Sequence, residues 1–249
     1  MKKKLLWFVT AVLIFSVLSS VAVLALELPW AIVDTCDHGH IYIKPADWYA
    51  DAHNFVLKEF LMDDQLVEVR YYPEMPNYYT QVYDFVGNEN VTRGVVATIL
   101  SRFDGHLDTL HPQYYNDDVC ETFVDVPDGK WFTPAVNWAY ENGITSGVGG
   151  SYFAPDRTIT REEFAAFLYR YTEYREYERD TSRDISAYPD STDVSDFAVD
   201  AMKWAVGCGL ITGKPGGLLA PKDTITRAEV ALIMYRYDSI VPHLDEAIR

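Results

Sequence analysis

A six-residue pattern recurs along the chain and constrains how it can fold. It reads Ile159-Thr160-Arg161-Glu162-Glu163-Phe164, again Ile225-Thr226-Arg227-Ala228-Glu229-Val230, and more loosely Val91-Thr92-Arg93-Gly94-Val95-Val96. The Thr positions lie 68 and then 66 residues apart. A period of that size indicates one supersecondary unit used repeatedly. Thr followed three residues later by Glu is a capping box, in which each residue satisfies an unpaired N–H at the start of a helix. Thr160 with Glu163, and Thr226 with Glu229, have both parts; Val95 cannot close the box on Thr92. Apolar residues follow at i, i+3, i+4 and i+7: Val96, Ile99, Leu100, Phe103; then Phe164, Phe167, Leu168, Tyr171; then Val230, Ile233, Met234, Tyr237. That spacing is one face of an α-helix. The Arg after each Thr lies off this face, yet it stands in all three copies.

The copies extend beyond the motif. Residues 120–171 align with 186–237 at an offset of 66, pairing Trp138-Ala139 with Trp204-Ala205, Gly143 with Gly209, Gly147 with Gly213 and Ala154-Pro155 with Ala220-Pro221. Thr133-Pro134 places a cap residue and a first-turn Pro before a stripe of Ala135, Trp138 and Ala139, and Asn142-Gly143 closes that helix. A glycine-rich loop from Gly147 to Pro155 then leads to the Thr-Arg helix. Each unit therefore reads as helix, loop, helix. The first copy, 47–105, keeps these parts in eroded form: Trp48-Tyr49 matches Trp131-Phe132, and Phe85 matches Phe153. An insertion near 69–83, rich in Tyr and Pro, separates its two helices. The second copy is bounded at 120–175 and the third at 186–238.

Upstream, residues 1–25 have the form of an export signal: Lys2-Lys3-Lys4, an apolar run, and Val23-Leu24-Ala25 as a small-residue cleavage site. The same run is long enough to span a bilayer if it is kept. Residues 26–46 read as a polar lead-in. Cys36, Asp37, His38 and His40 lack the second ligand pair that a zinc site needs, so no metal is expected. The three cysteines, Cys36, Cys120 and Cys208, cannot make a disulfide framework. The formal charge of −16 argues against nucleic acid, whose binding needs many Lys and Arg contacts to phosphate. Any anionic ligand must therefore be met by local cations.

Phe123-Val124-Asp125-Val126, Trp138-Ala139, Gly143-Ile144, Gly147, Phe153-Ala154-Pro155 and Ile159-Thr160-Arg161-Glu162-Glu163 together resemble the S-layer homology (SLH) family, and the third copy resembles it as closely. The resemblance implies an all-α fold: three tandem helix-loop-helix repeats, the first degenerate, packed with pseudo-threefold symmetry around a central helical bundle. It also implies grooves between repeats that bind secondary cell-wall polymer, often carrying pyruvylated sugars. The chain would then be a secreted, non-catalytic module at the cell wall or S-layer of a Gram-positive type cell, with no cofactor and no membrane contact after signal cleavage. The family's groove cation carries onto Arg161 and Arg227, and onto Arg93 in the eroded copy.

The chemistry of these residues is compatible with that assignment. A pyruvate ketal keeps a free carboxylate, and the planar Arg fork suits a carboxylate. A helix N-terminus adds N–H groups and the positive end of the dipole. Gly147 and Gly213 would let backbone approach a sugar, and Lys214 is a further cation. Thr160, Thr226, Glu163 and Glu229 are read as caps first and ligand contacts second. Because the second and third copies keep the whole set, Arg161 and Arg227 are expected to dominate binding and Arg93 to be secondary. Two other classes of function remain open. One is a protein–protein scaffold at the cell surface, using the first repeat and its Tyr-rich insertion. The other is an enzyme or metal protein built on 27–85, although no Gly-x-Ser-x-Gly elbow or His-Glu-x-x-His is present.

Overall fold

The computed structural model describes residues 40–42, 51–52, 55–56, 62, 65–71, 79–107 and 119–244. Residues 1–25, expected to be an export signal, most of the expected lead-in, Cys36, Asp37, His38 and Trp48 lie outside the described residues. The chain divides into two compact units, one of residues 1–50 and 64–86, the other of 51–63 and 87–249.

The first unit holds a three-stranded sheet: β1 (His40–Tyr42), β2 (Gln65–Tyr71) and β3 (Tyr79–Asp84), in the order β1-β3-β2. β1 runs parallel to β3, with His40 opposite Gln81. β2 runs antiparallel to β3, with Tyr71 opposite Tyr79 and a slip in register between Leu66 and Glu68. The sequence reading placed no strand here; it saw an insertion in a helical repeat. The strands use β-branched and aromatic residues such as Val67, Val69, Tyr79, Thr80, Val82 and Tyr83, which fit a pleated surface.

Among its described residues the second unit is built of helices. Its helices are α1 (Arg93–Phe103), α2 (Thr133–Glu141), α3 (Arg161–Tyr174), α4 (Val199–Gly207) and α5 (Arg227–Leu244). The three Thr-Arg motifs begin α1, α3 and α5, as the capping pattern requires. Thr160 accepts from the Glu163 amide while the Glu163 carboxylate accepts from the Thr160 amide. Thr226 and Glu229 do the same, at 3.3 and 3.0 Å. Thr92 has only the first half, a long 3.5 Å contact from the Val95 amide. Thr133 does not cap α2. Its hydroxyl instead donates to the Pro127 carbonyl and accepts from the Lys130 amide, which pins the preceding turn.

All the stripe residues from Val96 to Leu100, Phe164 to Tyr171 and Val230 to Tyr237 are buried. Trp138 and Trp204 are buried as well, so they serve the core and not a sugar. Farther along α1, α3 and α5, the rings of Phe103, Tyr171 and Tyr237 meet pairwise, with centroids 6.1, 5.8 and 5.8 Å apart. At the N-terminal ends the backbone closes a ring. The Val91 amide donates to Ile225 O, Ile225 to Ile159 O, and Ile159 to Val91 O, at 3.0, 3.2 and 3.0 Å. The first amides inside each helix then bond to the neighbouring segment. Arg93 N reaches Arg157 O, Arg161 N reaches Asp223 O, and Arg227 N reaches Glu89 O.

The loops that supply these carbonyls are clamped. Both Asp125 oxygens accept from the Phe153 and Ala154 amides at 2.8 and 2.7 Å, and both Asp190 oxygens accept from Leu219 and Ala220 at 2.9 and 2.7 Å. Ala154 and Ala220 sit at φ 59 and 51, in the left-handed region that costs a residue with a Cβ. The carboxylate clamps hold that conformation in place.

Candidate functional site

A helix N-terminus attracts an anion only if its first amides are free. Here they are not. The amides of Arg161, Glu162 and Glu163 donate to Asp223 O, Pro221 O and Thr160 Oγ1. Those of Arg93 and Gly94 donate to Arg157 O and Pro155 O. The expectation of open N–H groups beside each Arg is corrected: they bind the next segment's loop. Selection of an anion must then rest on the side chains.

The two Arg side chains with a described environment differ sharply. Arg161 is 3% exposed. Its Nε donates to Leu219 O at 3.1 Å, Nη1 to Glu229 Oε1 at 2.9 Å, and Nη2 to Thr212 O at 3.3 Å. Burial lowers its pKa, and the Glu229, Asp223 and Asp190 carboxylates work against that fall. Every nitrogen of this fork is committed inside the protein. Lys214, offered as a further cation, reaches Asp223 at 3.0 Å and Glu229 at 3.8 Å. Arg236, on the next face of α5, donates to Leu210 O.

Arg93 is equally buried, at 3% exposure. Its Nε makes the same backbone bond, to Phe153 O at 2.8 Å. Its guanidinium lies over the rings of Phe153 and Phe167, at 4.8 and 5.2 Å. Among the described residues its Nη1 and Nη2 have no hydrogen-bond partner, and no carboxylate forms an ion pair with it. Glu163, at the place that Glu229 holds for Arg161, gives its Oε1 to Arg157 Nη2 at 2.6 Å. Burial lowers the Arg93 pKa to about 10, Arg157 and Arg170 push it the same way, and Glu163 opposes them. The guanidinium remains a cation at neutral pH.

Arg93 opens into a cavity of about 540 Å³. Loop residues 145–149 form one wall and α3 another, through Glu163, Phe167 and Arg170. Arg157 and Phe197 complete it, Phe197 being 55% exposed. Three guanidinium groups thus face one carboxylate in a hollow with aromatic surface, on a chain of net charge −16. Arg157, Arg170 and Phe197 were missed by the sequence reading. The signal available was that position 157 carries Arg where the aligned position 223 carries Asp.

The glycines play a different part from the one expected. Gly147 lines the cavity at φ +78, but a Cβ there would meet Tyr152 O at 2.4 Å and Phe123 Cε1 at 2.6 Å. A Cβ on Gly213 would meet Tyr188 and Leu218 O. Both make room for the protein's own loop. Arg227 heads α5 with its amide on Glu89 O. Among the described residues no three His, Cys, Asp or Glu side chains gather as a metal site, and no helix is long and apolar enough to cross a membrane.

A family model for the S-layer homology domain matches residues 122–165 and 187–231. The chain is 30% identical over 156 residues to the Cellulosome-anchoring protein of Acetivibrio thermocellus, covering 60% of this chain and 32% of that one. It is 32% identical over 117 residues to the Surface-layer 125 kDa protein of Lysinibacillus sphaericus, covering 46% and 10%. It is 34% identical over 148 residues to the Exoglucanase XynX of Acetivibrio thermocellus, covering 59% and 13%. The chain spans about a third or less of the length of these curated relatives. The match to the glucanase is therefore a match to a small part of it.

Proposed function

We propose that this chain, which an S-layer homology model matches at 122–165 and 187–231, is a non-catalytic anchoring module at the cell surface that holds secondary cell-wall polymer in the cavity beside Arg93. The relatives named for a surface layer and for anchoring support the surface role. We read the ring of backbone bonds through Val91, Ile159 and Ile225, and the ring of Phe103, Tyr171 and Tyr237, as three repeats packed with pseudo-threefold symmetry, the first at 47–105, the second at 120–175 and the third at 186–238.

The observation that carries the ligand assignment is the unengaged end of the Arg93 fork in a cationic hollow. A carboxylate on a sugar, as in a pyruvate ketal, fits that fork through two parallel N–H···O bonds. Arg170 supplies a second cation, and the exposed Phe197 ring offers an apolar face to a sugar ring. Arg161 supports the same chemistry from within, since its fork already holds a carboxylate, that of Glu229. On this reading the ranking is the reverse of the expected one: Arg93 meets the ligand and Arg161 holds the fold.

The test is sedimentation with purified walls that carry their polymer and with walls stripped of it. The parent protein should pellet with the first and stay in solution with the second. A hydrogen bond to a charged group contributes about 1.5–3 kcal/mol, so Arg93→Ala should weaken retention about tenfold or more. Binding that survives removal of the polymer would defeat the assignment and turn attention to a surface protein as the partner.

A further inference from the structure

The Arg93 and Arg161 forks are built on one plan and end in opposite states, and a single position accounts for where the neighbouring carboxylate goes. The carbonyls of Arg157 and Asp223 accept from the Arg93 and Arg161 amides at 3.0 and 2.9 Å, so these two residues hold equivalent places. Glu163 and Glu229 also correspond. Each spends Oε2 on the cap, receiving the Thr160 or Thr226 amide at 3.1 and 3.0 Å. Each has Oε1 left. Glu229 Oε1 goes to Arg161 Nη1 at 2.9 Å and, with Thr212 O on Nη2 at 3.3 Å, closes that fork. Glu163 Oε1 goes to Arg157 Nη2 at 2.6 Å, and the Arg93 fork stays open. Asp223 cannot compete for Glu229, because both are anions; it pairs with Lys214 at 3.0 Å instead.

From this geometry we infer that Arg157 is the positioning residue that keeps the Arg93 fork available to an anionic sugar, by drawing off the Glu163 oxygen that would otherwise occupy it. Asp223 leaves Glu229 on Arg161 for the converse reason. This rests on the reading of the Arg93 cavity as the polymer site. It also assigns a role to residue 157 that does not require contact with the ligand.

The experiment is calorimetric titration of the full chain with a methyl hexoside bearing a 4,6-linked pyruvate ketal. The Arg157 side chain is 43% exposed, so changing it leaves the core intact. Arg157→Gln should weaken binding at least tenfold, because Glu163 moves onto Arg93. Adding Glu163→Gln should restore affinity to within about threefold of the parent, since Gln still caps the helix. Glu163→Gln alone should change affinity less than threefold, because that fork is already open. A bare charge effect would tighten the parent and the Arg157→Gln protein equally, and that result overturns the inference. So does a double variant as weak as Arg157→Gln, which would make Arg157 a direct contact.

If the parent does not bind the hexoside, both this inference and the proposed function fall. If the parent binds but the 157–163 coupling is absent, only this inference falls.

Discussion

A guanidinium buried inside the protein is stabilised by donors that are met, because a stranded charge in the interior costs several kcal/mol. Arg161 satisfies this rule with two carbonyls and a carboxylate. Arg161→Ala should therefore lower stability by about 2–4 kcal/mol, the range for losing a hydrogen-bonded buried cation whose anion is still partly solvated. Urea denaturation measures this, and a variant as stable as the parent would contradict the internal role. Arg93→Ala should cost less stability, because fewer bonds are lost, while costing more binding. The caps rank in the same way. Thr160→Ala and Thr226→Ala each remove a complete box and should cost about 0.5–2 kcal/mol. Thr92→Ala breaks one long contact and should cost less than either. Gly147→Ala places a Cβ against Tyr152 O at φ +78, so about 1–3 kcal/mol of overpacking adds to the backbone strain.

At the scale of the elements, the glycine loops matter because their carbonyls receive the helix starts, and Asp125 and Asp190 hold those loops in shape. Burial alone would raise the Asp190 pKa, but the amides of Leu219 and Ala220 outweigh it and the group titrates below its ordinary value. A folded-state pKa below the unfolded one stabilises above the unfolded pKa, and this contribution is lost as pH falls through the folded value. Asp190→Asn should thus reduce stability at neutral pH, and its deficit should shrink below about pH 4, the ordinary Asp range. Melting temperatures of parent and variant across pH 2–7 would show the two curves converging, and parallel curves would remove the clamp argument. The helices were legible because their stripes repeat at i, i+3, i+4 and i+7 in every copy, and all of those residues but the half-buried Phe103 are buried. The caps were legible because Thr and Glu act within four residues of each other. The clamps, the sheet and the Arg93 cavity were not. Asp125 acts on Phe153 and Ala154, 28 and 29 residues away, and Arg93 meets Phe153 across 60 residues. Periodicity reports local faces, and it says nothing about which distant loop closes over them.

For the molecule as a whole, the acidic surface and the cationic hollow set how binding responds to salt. A few buried charge contacts should give a moderate loss of affinity as salt rises, unlike the steep loss from a broad basic face. The helical unit should also be indivisible. Val91, Ile159 and Ile225 pass hydrogen bonds around a closed ring, and Phe103, Tyr171 and Tyr237 pack on one another farther along the helices. Each of the three segments supplies one member to both rings, so no pair of them completes either. Glu162 adds a lock between two segments: it is 3% exposed, and it receives the Ser195 amide at 2.9 Å and Lys222 Nζ at 2.5 Å. A chain ending at residue 183 loses α4, α5, Ser195 and Lys222, strands the Glu162 carboxylate, and uncovers the faces of α1 and α3. Repeat units of this kind bury their apolar faces on their neighbours. The fragment 26–183 should therefore bind a hydrophobic dye, associate in sedimentation equilibrium, and unfold at lower urea than the full chain. A fragment that stayed monomeric with an unchanged urea midpoint would show that the core is not shared among the three segments.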